Sequence, residues 1–276
     1  MAAGARFCTR HNGRIDSHLP EPYCAKVATP SQYPAEAADP YCLREGEAAR
    51  LLAGHPWQSF VVVGDSIAEG LGDPCPGYPD LPWCDRIAGE LRREQPGLSY
   101  LNLGTRNTPA ADVRAAQLGP ALAAGPDLAL VSCGGYDLLR FSYDADAVAA
   151  TLRAIAAAFT EQGCDVVTVG LFDGSRAPAL PDEFRAPLRA RLHALSRRTE
   201  EISAELGTLH VALTGHPASG DANIYSADPR HGTMRGHAIS AAETIRRLGA
   251  HLGAVGRAGA GQASAAPATA RQPGRA

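Results

Sequence analysis

Along the middle of the chain, short apolar runs alternate with longer stretches whose apolar positions recur at helical spacing. Phe60 to Ser66, Ser99 to Gly104, Asp127 to Gly135, Cys164 to Phe172 and Thr208 to Gly215 are near-continuously apolar. Such runs predict strands covered on both faces. Between and after them, Leu81 to Arg93, Ala110 to Ala124, Asp146 to Gln162, Asp182 to Leu206 and Thr233 to Leu252 carry a helical pattern, and each is long enough for a parallel crossover. The expectation is one α/β domain over residues 58–252, a three-layer α/β/α sandwich around a five-stranded parallel sheet. Ligands in such a sheet sit beyond the carboxyl ends of the strands.

The flanks read differently. Residues 1–57 are rich in Pro, Ala and polar groups with little periodicity and predict an irregular arm with a short helix, while residues 253–276 are biased to Gly, Ala and Pro and predict a disordered tail. With 276 residues, 45% of them hydrophobic, 20% charged and a net charge of −3, a globular body is expected rather than a disordered chain. Lys26 is the sole lysine and the arginines are scattered among acids, which argues against a nucleic-acid partner. The first thirty residues hold no apolar run of the kind an export signal needs, and no later stretch is long and apolar enough for a membrane span, so a cytoplasmic location is expected.

Seven cysteines, an odd number, fit reduced thiols better than a disulfide framework. Cys133 and Cys164 fall inside strand patterns and predict core packing. Cys8, His11, His18 and Cys24 can be drawn as a metal site, but their spacing matches no common zinc module, and no metal is expected. Cys75 and Cys84 flank a Pro-rich loop, where free thiols are the plainer reading than a pair.

The chemistry lies at strand ends. The first strand leads into Gly64-Asp65-Ser66-Ile67-Ala68-Glu69-Gly70, which presents a serine hydroxyl where a helix begins and main-chain N–H groups can meet developing negative charge. Near the other end, Asp228-Pro229-Arg230-His231 precedes the last helix. A carboxylate three residues before an imidazole can hold one ring nitrogen and leave the other to take a serine proton. Taken together these supply nucleophile, base and orienting carboxylate.

The order of four blocks resembles the SGNH hydrolases, also called GDSL esterases or lipases. Gly64-Asp65-Ser66 is similar to the first block, Asn102-Leu103-Gly104-Thr105-Arg106-Asn107 to the second, Gly134-Gly135-Tyr136-Asp137 to the third and Asp228-Pro229-Arg230-His231 to the last, over about residues 58 to 252. The resemblance implies the flavodoxin-like SGNH fold, hydrolysis of a small-molecule carboxylic ester through an acyl-enzyme, and no cofactor. It implies Ser66 as nucleophile, His231 as base, Asp228 as orienting carboxylate and the Ser66 N–H as an oxyanion donor. Gly104, Asn107, Gly135 and Tyr136 fall at oxyanion or substrate-binding positions.

Two of these depart from the family. Asn107 stands where a glycine N–H normally donates, and Tyr136 where an asparagine amide normally does. Asparagine tolerates positive φ, so the main-chain donor at residue 107 can survive. The tyrosine hydroxyl lies farther from the backbone than an amide, which leaves three readings: the Asn107 amide reaches into the hole, Tyr136 donates or stacks on substrate, or catalysis is weak. Ester hydrolysis is the leading expectation, with acyl transfer from the same intermediate and a ligand-binding module as rivals. Glu69 is read as a solvated first-turn carboxylate, His237 as helix packing, Arg185 to Arg198 as an exposed helix face, and the loop from Gly72 to Trp83 as either pocket rim or packing.

Overall fold

The computed structural model describes residues 34–264 apart from residue 229. The candidate metal set Cys8, His11, His18 and Cys24 therefore lies outside the described residues. Among the described residues, no cluster of His, Cys, Asp and Glu could hold a metal ion, and no helix is long and apolar enough to cross a membrane.

Five parallel strands form the main sheet: β1 (Ser59–Gly64), β3 (Ser99–Asn102), β4 (Leu128–Ser132), β5 (Asp165–Gly170) and β6 (Leu209–Ala212), in the order β3-β1-β4-β5-β6. Each predicted run contains one of them, with its ends trimmed into the loops. Alternation divides the apolar residues between two cores. Phe60 and Val62 face one side, beneath Leu52 of α2 (Glu47–Leu52), Ile87 and Leu91 of α4 (Trp83–Glu94) and Ile245 and Leu248 of α9 (Met234–Ser264). Val61 and Val63 face the other, beneath Val113 of α5 (Ala110–Ala116), Leu152 and Ile155 of α7 (Ala145–Thr160) and Leu192 and Leu195 of α8 (Asp182–Leu206). The three layers and the five-stranded parallel sheet are those the sequence predicts.

Chain order makes β1 the switch point: the chain goes out to β3 on one side and returns to β4 on the other. The crevice at the carboxyl end of β1 is thus where the loops diverge, and α3 (Ser66–Glu69) begins there.

Two predicted helices differ. The run from Ala110 to Ala124 splits into α5 and α6 (Leu118–Ala123) at Gln117, where Pro120 has no N–H to give to the Ala116 carbonyl, and the Gln117 side chain turns inward. Its side-chain amide donates to the Gly64 carbonyl at 2.9 Å and accepts from the Gly64 N–H at 2.8 Å, satisfying the end of β1 beyond its pairing with β3. The last helix does not stop at Leu252 but runs to Ser264, so the predicted disordered tail begins helically. The Ala-rich stretch holds no proline before residue 267, and alanine favours helix.

The arm docks on the body through α1 (Pro34–Ala38) and α2. Arg246 on α9 donates to the carbonyls of Tyr41 and Cys42 and pairs with Glu47. Arg235 on α9 pairs with the buried Asp39 and with Asp221, and Tyr78 donates to the same Asp39 at 2.7 Å. Cys133 and Cys164 are buried as predicted, and Cys75 and Cys84 are free thiols.

Candidate active site

Gly64 ends β1 at φ 155°, and a Cβ there would stand 1.9 Å from the Ser132 carbonyl oxygen, so only glycine fits the turn. Asp65 follows as the N-cap of α3, its Oδ1 accepting from the Ile67 N–H at 3.0 Å. Its Oδ2 accepts from the Tyr136 N–H at 3.1 Å, so one carboxylate ties the turn before Ser66 to the loop after β4. Burial pushes its pKa up to about 6, against the hydrogen bonds that favour the charged form.

Ser66 occupies the first helical position. Its Oγ lies 2.8 Å from His231 Nε2, and His231 Nδ1 lies 2.8 Å from Asp228 Oδ2. The structure therefore brings together the three residues that the sequence places at opposite ends of the domain. Asp228 also accepts from the N–H groups of Arg230 (2.7 Å) and His231 (3.2 Å) through Oδ1. Burial acts to raise its pKa, but these bonds and the imidazole outweigh it and hold the carboxyl below its ordinary range. Asp228 is thus ionised when the imidazole needs an acceptor for Nδ1–H.

The loop carrying Asp228 and His231 is braced by residues that no motif signals. Parallel strands β2 (Gly72–Asp73) and β7 (Gly232–Thr233) pair directly after His231. Asp73 accepts from the Ala227 N–H at 2.8 Å and its own N–H donates to Ser226 Oγ, which in turn donates to the Gly232 carbonyl. The segment after α3 is thereby fastened on both sides of the Asp-His pair. His237 is buried as packing, as predicted, and in one defined tautomer: Nδ1 accepts from the Trp83 N–H and Nε2 donates to the Leu71 carbonyl, both at 3.2 Å. The Gly72 to Trp83 loop combines both readings, since Gly72 and Trp83 line the cavity while Trp83 packs in the core.

Asn107 has φ 58°, the one non-glycine residue with positive φ among the described residues. Neither its N–H nor that of Ser66 has a hydrogen-bond acceptor among the described residues, and both residues line the cavity. Gly104 has another duty: its N–H donates to Asn102 Oδ1 at 2.9 Å, and a Cβ there would lie 2.4 Å from the Glu69 nitrogen. It lets the second block close on α3 and does not offer a donor to the site. Gly135 lines the cavity, and a Cβ on it would crowd Asp65, Ile67 and Leu171. Tyr136 also lines the cavity, while its N–H is committed to Asp65.

Glu69 is not the solvated carboxylate the sequence suggests. Its Oε2 accepts from the Arg106 N–H at 2.7 Å and Oε1 pairs with the Arg106 guanidinium at 3.0 Å. Glu69 links the helix that bears Ser66 to the residue before Asn107. The Arg-rich helix face is exposed only in part, because Arg191 caps the carbonyls of Leu138 and Arg140 beside the third block.

Residues 62–239 match the family model of the GDSL-like lipase/acylhydrolase family. The chain belongs to that family. Membership makes it an esterase of the SGNH type. Among solved structures, this acylhydrolase is similar to Axe2, an acetylxylan esterase from Geobacillus stearothermophilus, at 20% identity and a TM-score of 0.57, covering 71% of this chain and 95% of that one. It is also similar to LAE5, an alpha/beta hydrolase enzyme from the metagenome of Lake Arreo, Spain, at 18% identity and a TM-score of 0.56, covering 71% and 96%. At such identity the likeness establishes the fold. A comparison with curated proteins returns no match.

Proposed function

We propose that the protein hydrolyses a carboxylic ester through an acyl-enzyme on Ser66. The observation that carries this reading is the unbroken relay from Ser66 Oγ through His231 to Asp228, with 2.8 Å at each step. His231 Nε2 takes the hydroxyl proton as Oγ bonds to the carbonyl carbon, Asp228 holds the Nδ1–H side of the ring, and the imidazolium then returns the proton to the departing alkoxide. Water repeats the sequence in reverse roles and frees the acid. Variants of Axe2 described as catalytic mutants replace a serine, an aspartate and a histidine, the same three residue types.

The unpaired N–H groups of Ser66 and Asn107 supply the oxyanion donors in this reading. Positive φ at Asn107 does for this chain what glycine does in the family pattern. Tyr136 contributes a pocket wall and no amide. Loss of one donor typically costs about 10²–10³ in rate, so turnover of simple esters is expected to be modest.

The test is stoichiometric labelling by a fluorophosphonate, read by peptide mass spectrometry. Labelling at Ser66, lost in Ser66→Ala together with ester turnover, supports the reading. A folded wild-type protein that neither labels at Ser66 nor cleaves any ester refutes it.

A further inference from the structure

Ser66 and His231 open onto a cavity of about 480 Å³ that continues well past them. Its charged lining residues, Asp73, Arg106, Asp228 and Arg230, all belong to segments around the triad and the second block. Apolar side chains line it beside the reacting groups too, Ile67, Leu71, Trp83 and Ile224 among them, but beyond these the wall is uncharged and comes from the far half of the sheet: Leu138 after β4, Leu171 and Phe172 after β5, Leu213 after β6, and Leu188 and Leu192 from α8. The cavity therefore has a polar end at the reacting groups and an apolar end over β4, β5 and β6. We propose that the apolar end is an acyl-chain subsite, and that the preferred substrate carries a linear apolar acyl group of hexanoyl to decanoyl size rather than acetyl. This rests on the acyl-enzyme reading above and adds to it the half of the substrate that stays on Ser66.

Geometry assigns the acyl half to this end. The leaving oxygen must lie against His231 Nε2, and His231 sits in the loop with Asp228 and Arg230, so the alcohol departs past the charged rim. The carbonyl oxygen faces the N–H groups of Ser66 and Asn107, and Asn107 follows β3, on the opposite side of β1 from β4, β5 and β6. The remaining substituent on the carbonyl carbon points toward the leucine-rich wall. The volume lies in the range of pockets that enclose a drug-sized ligand, whereas an acetyl group would leave most of the wall facing water. The apolar surface also continues outward: Leu139, which lines the cavity, is 46% exposed, and Phe184, one turn before Leu188 on α8, is 57% exposed.

The experiment measures kcat/KM for p-nitrophenyl esters from acetate to decanoate, each below its micellar concentration, with wild type, Leu188→Trp and Leu188→Ala. Burying one methylene favours binding by roughly fourfold, so kcat/KM should climb by about fourfold per methylene until the cavity is filled. Leu188→Trp fills the subsite and should cut the octanoate-to-acetate ratio at least tenfold, while Leu188→Ala moves the optimum to a longer chain. Fluorophosphonate labelling of each variant shows that Ser66 remains reactive, which separates a narrowed subsite from a misfolded protein. A wild-type profile that is flat or peaks at acetate, with Ser66 still labelled, overturns the proposal and leaves the triad reading standing. So does a series of acetyl esters in which lengthening the alcohol has the larger effect. Failure of Ser66 to react with any ester overturns both.

Discussion

His237 offers the sharpest test of how the site is held. It is buried, its Nδ1 lone pair accepts the Trp83 N–H, and its Nε2–H goes to the Leu71 carbonyl. Burial drives its pKa down to about 4 against the hydrogen bond to the Leu71 carbonyl, and the positive charge of Arg86 acts in the same direction as burial. Protonation would turn an acceptor into a donor facing a donor. With a folded value near 4 and an ordinary value of 6.5, the unfolded chain takes the proton first, so His237 contributes stability above pH 6.5 that is lost as pH falls toward 4. At about pH 4.5 the loss is on the order of 2–3 kcal/mol. Asp65 works in the opposite sense. Its raised value means that ionisation costs more in the folded state, so stability is lost as pH rises from 3.8 to about 6. The two terms oppose each other in wild type, so a variant is needed to isolate the one at His237. His237→Gln removes one term and keeps the other, because an amide can accept from Trp83 and donate to Leu71 without titrating. Urea unfolding followed by fluorescence of the buried Trp57 and Trp83 should place the variant about 2 kcal/mol below wild type at neutral pH, for lost packing. The gap should close at about pH 4.5, when wild type has lost its His237 contribution. A gap that stays constant between the two pH values would show that His237 is not held neutral by its surroundings.

Glu69→Ala should lower kcat about tenfold with little change in KM if Asn107 donates as proposed, because Asn107 then loses its anchor through Arg106; Glu69→Gln, which keeps an acceptor, should retain most of the activity in the same ester assay. Arg235→Ala leaves the Asp39 carboxylate buried without its ion partner and should cost about 3–5 kcal/mol in urea unfolding, with the arm the first segment to exchange its amide hydrogens. Tyr136→Asn restores an amide beside Ser66 while the main-chain bond to Asp65 stays, so turnover of p-nitrophenyl acetate should rise, by up to about a hundredfold; a fall would identify the tyrosine as a donor or a necessary wall.

What the sequence made legible was whatever repeats locally or sits in a block. Strand cores were visible because residues such as Val61 and Val62 must be apolar on both faces, and the triad because Ser66 and the Asp228-His231 pair lie in two short motifs. The supports were hidden because they are single polar contacts across long sequence separations. Asp73 reaches Ala227, Gln117 reaches Gly64 and Glu69 reaches Arg106, and none of these leaves a periodic trace. The break at Gln117 is marked locally by Gly119 and Pro120, but nothing in the sequence shows that the Gln117 side chain turns inward to Gly64. Gly104 was legible as important but not as to why, since a donor and a close approach both call for glycine.

These supports share one chemistry, in which a carboxylate accepts main-chain N–H groups. Asp65 takes those of Ile67 and Tyr136, Glu69 that of Arg106, Asp73 that of Ala227, and Asp228 those of Arg230 and His231. Charge-assisted bonds of this type are roughly twice as strong as neutral ones, and they fix backbone rather than a mobile side chain. The arrangement explains how a site assembled from four separate loops keeps a relay with 2.8 Å at each step. It also predicts which amide replacements are conservative. At Glu69 one oxygen serves the N–H and the other a guanidinium on the surface, so an amide keeps the bond that positions Asn107. At Asp65 both oxygens face N–H donors in a buried site, so Asp65→Asn must set an NH₂ against a donor whichever way it turns. A buried group left unsatisfied costs about 1–3 kcal/mol, and here the cost falls on the turn that carries Ser66, so Asp65→Asn should impair ester turnover far more than Glu69→Gln.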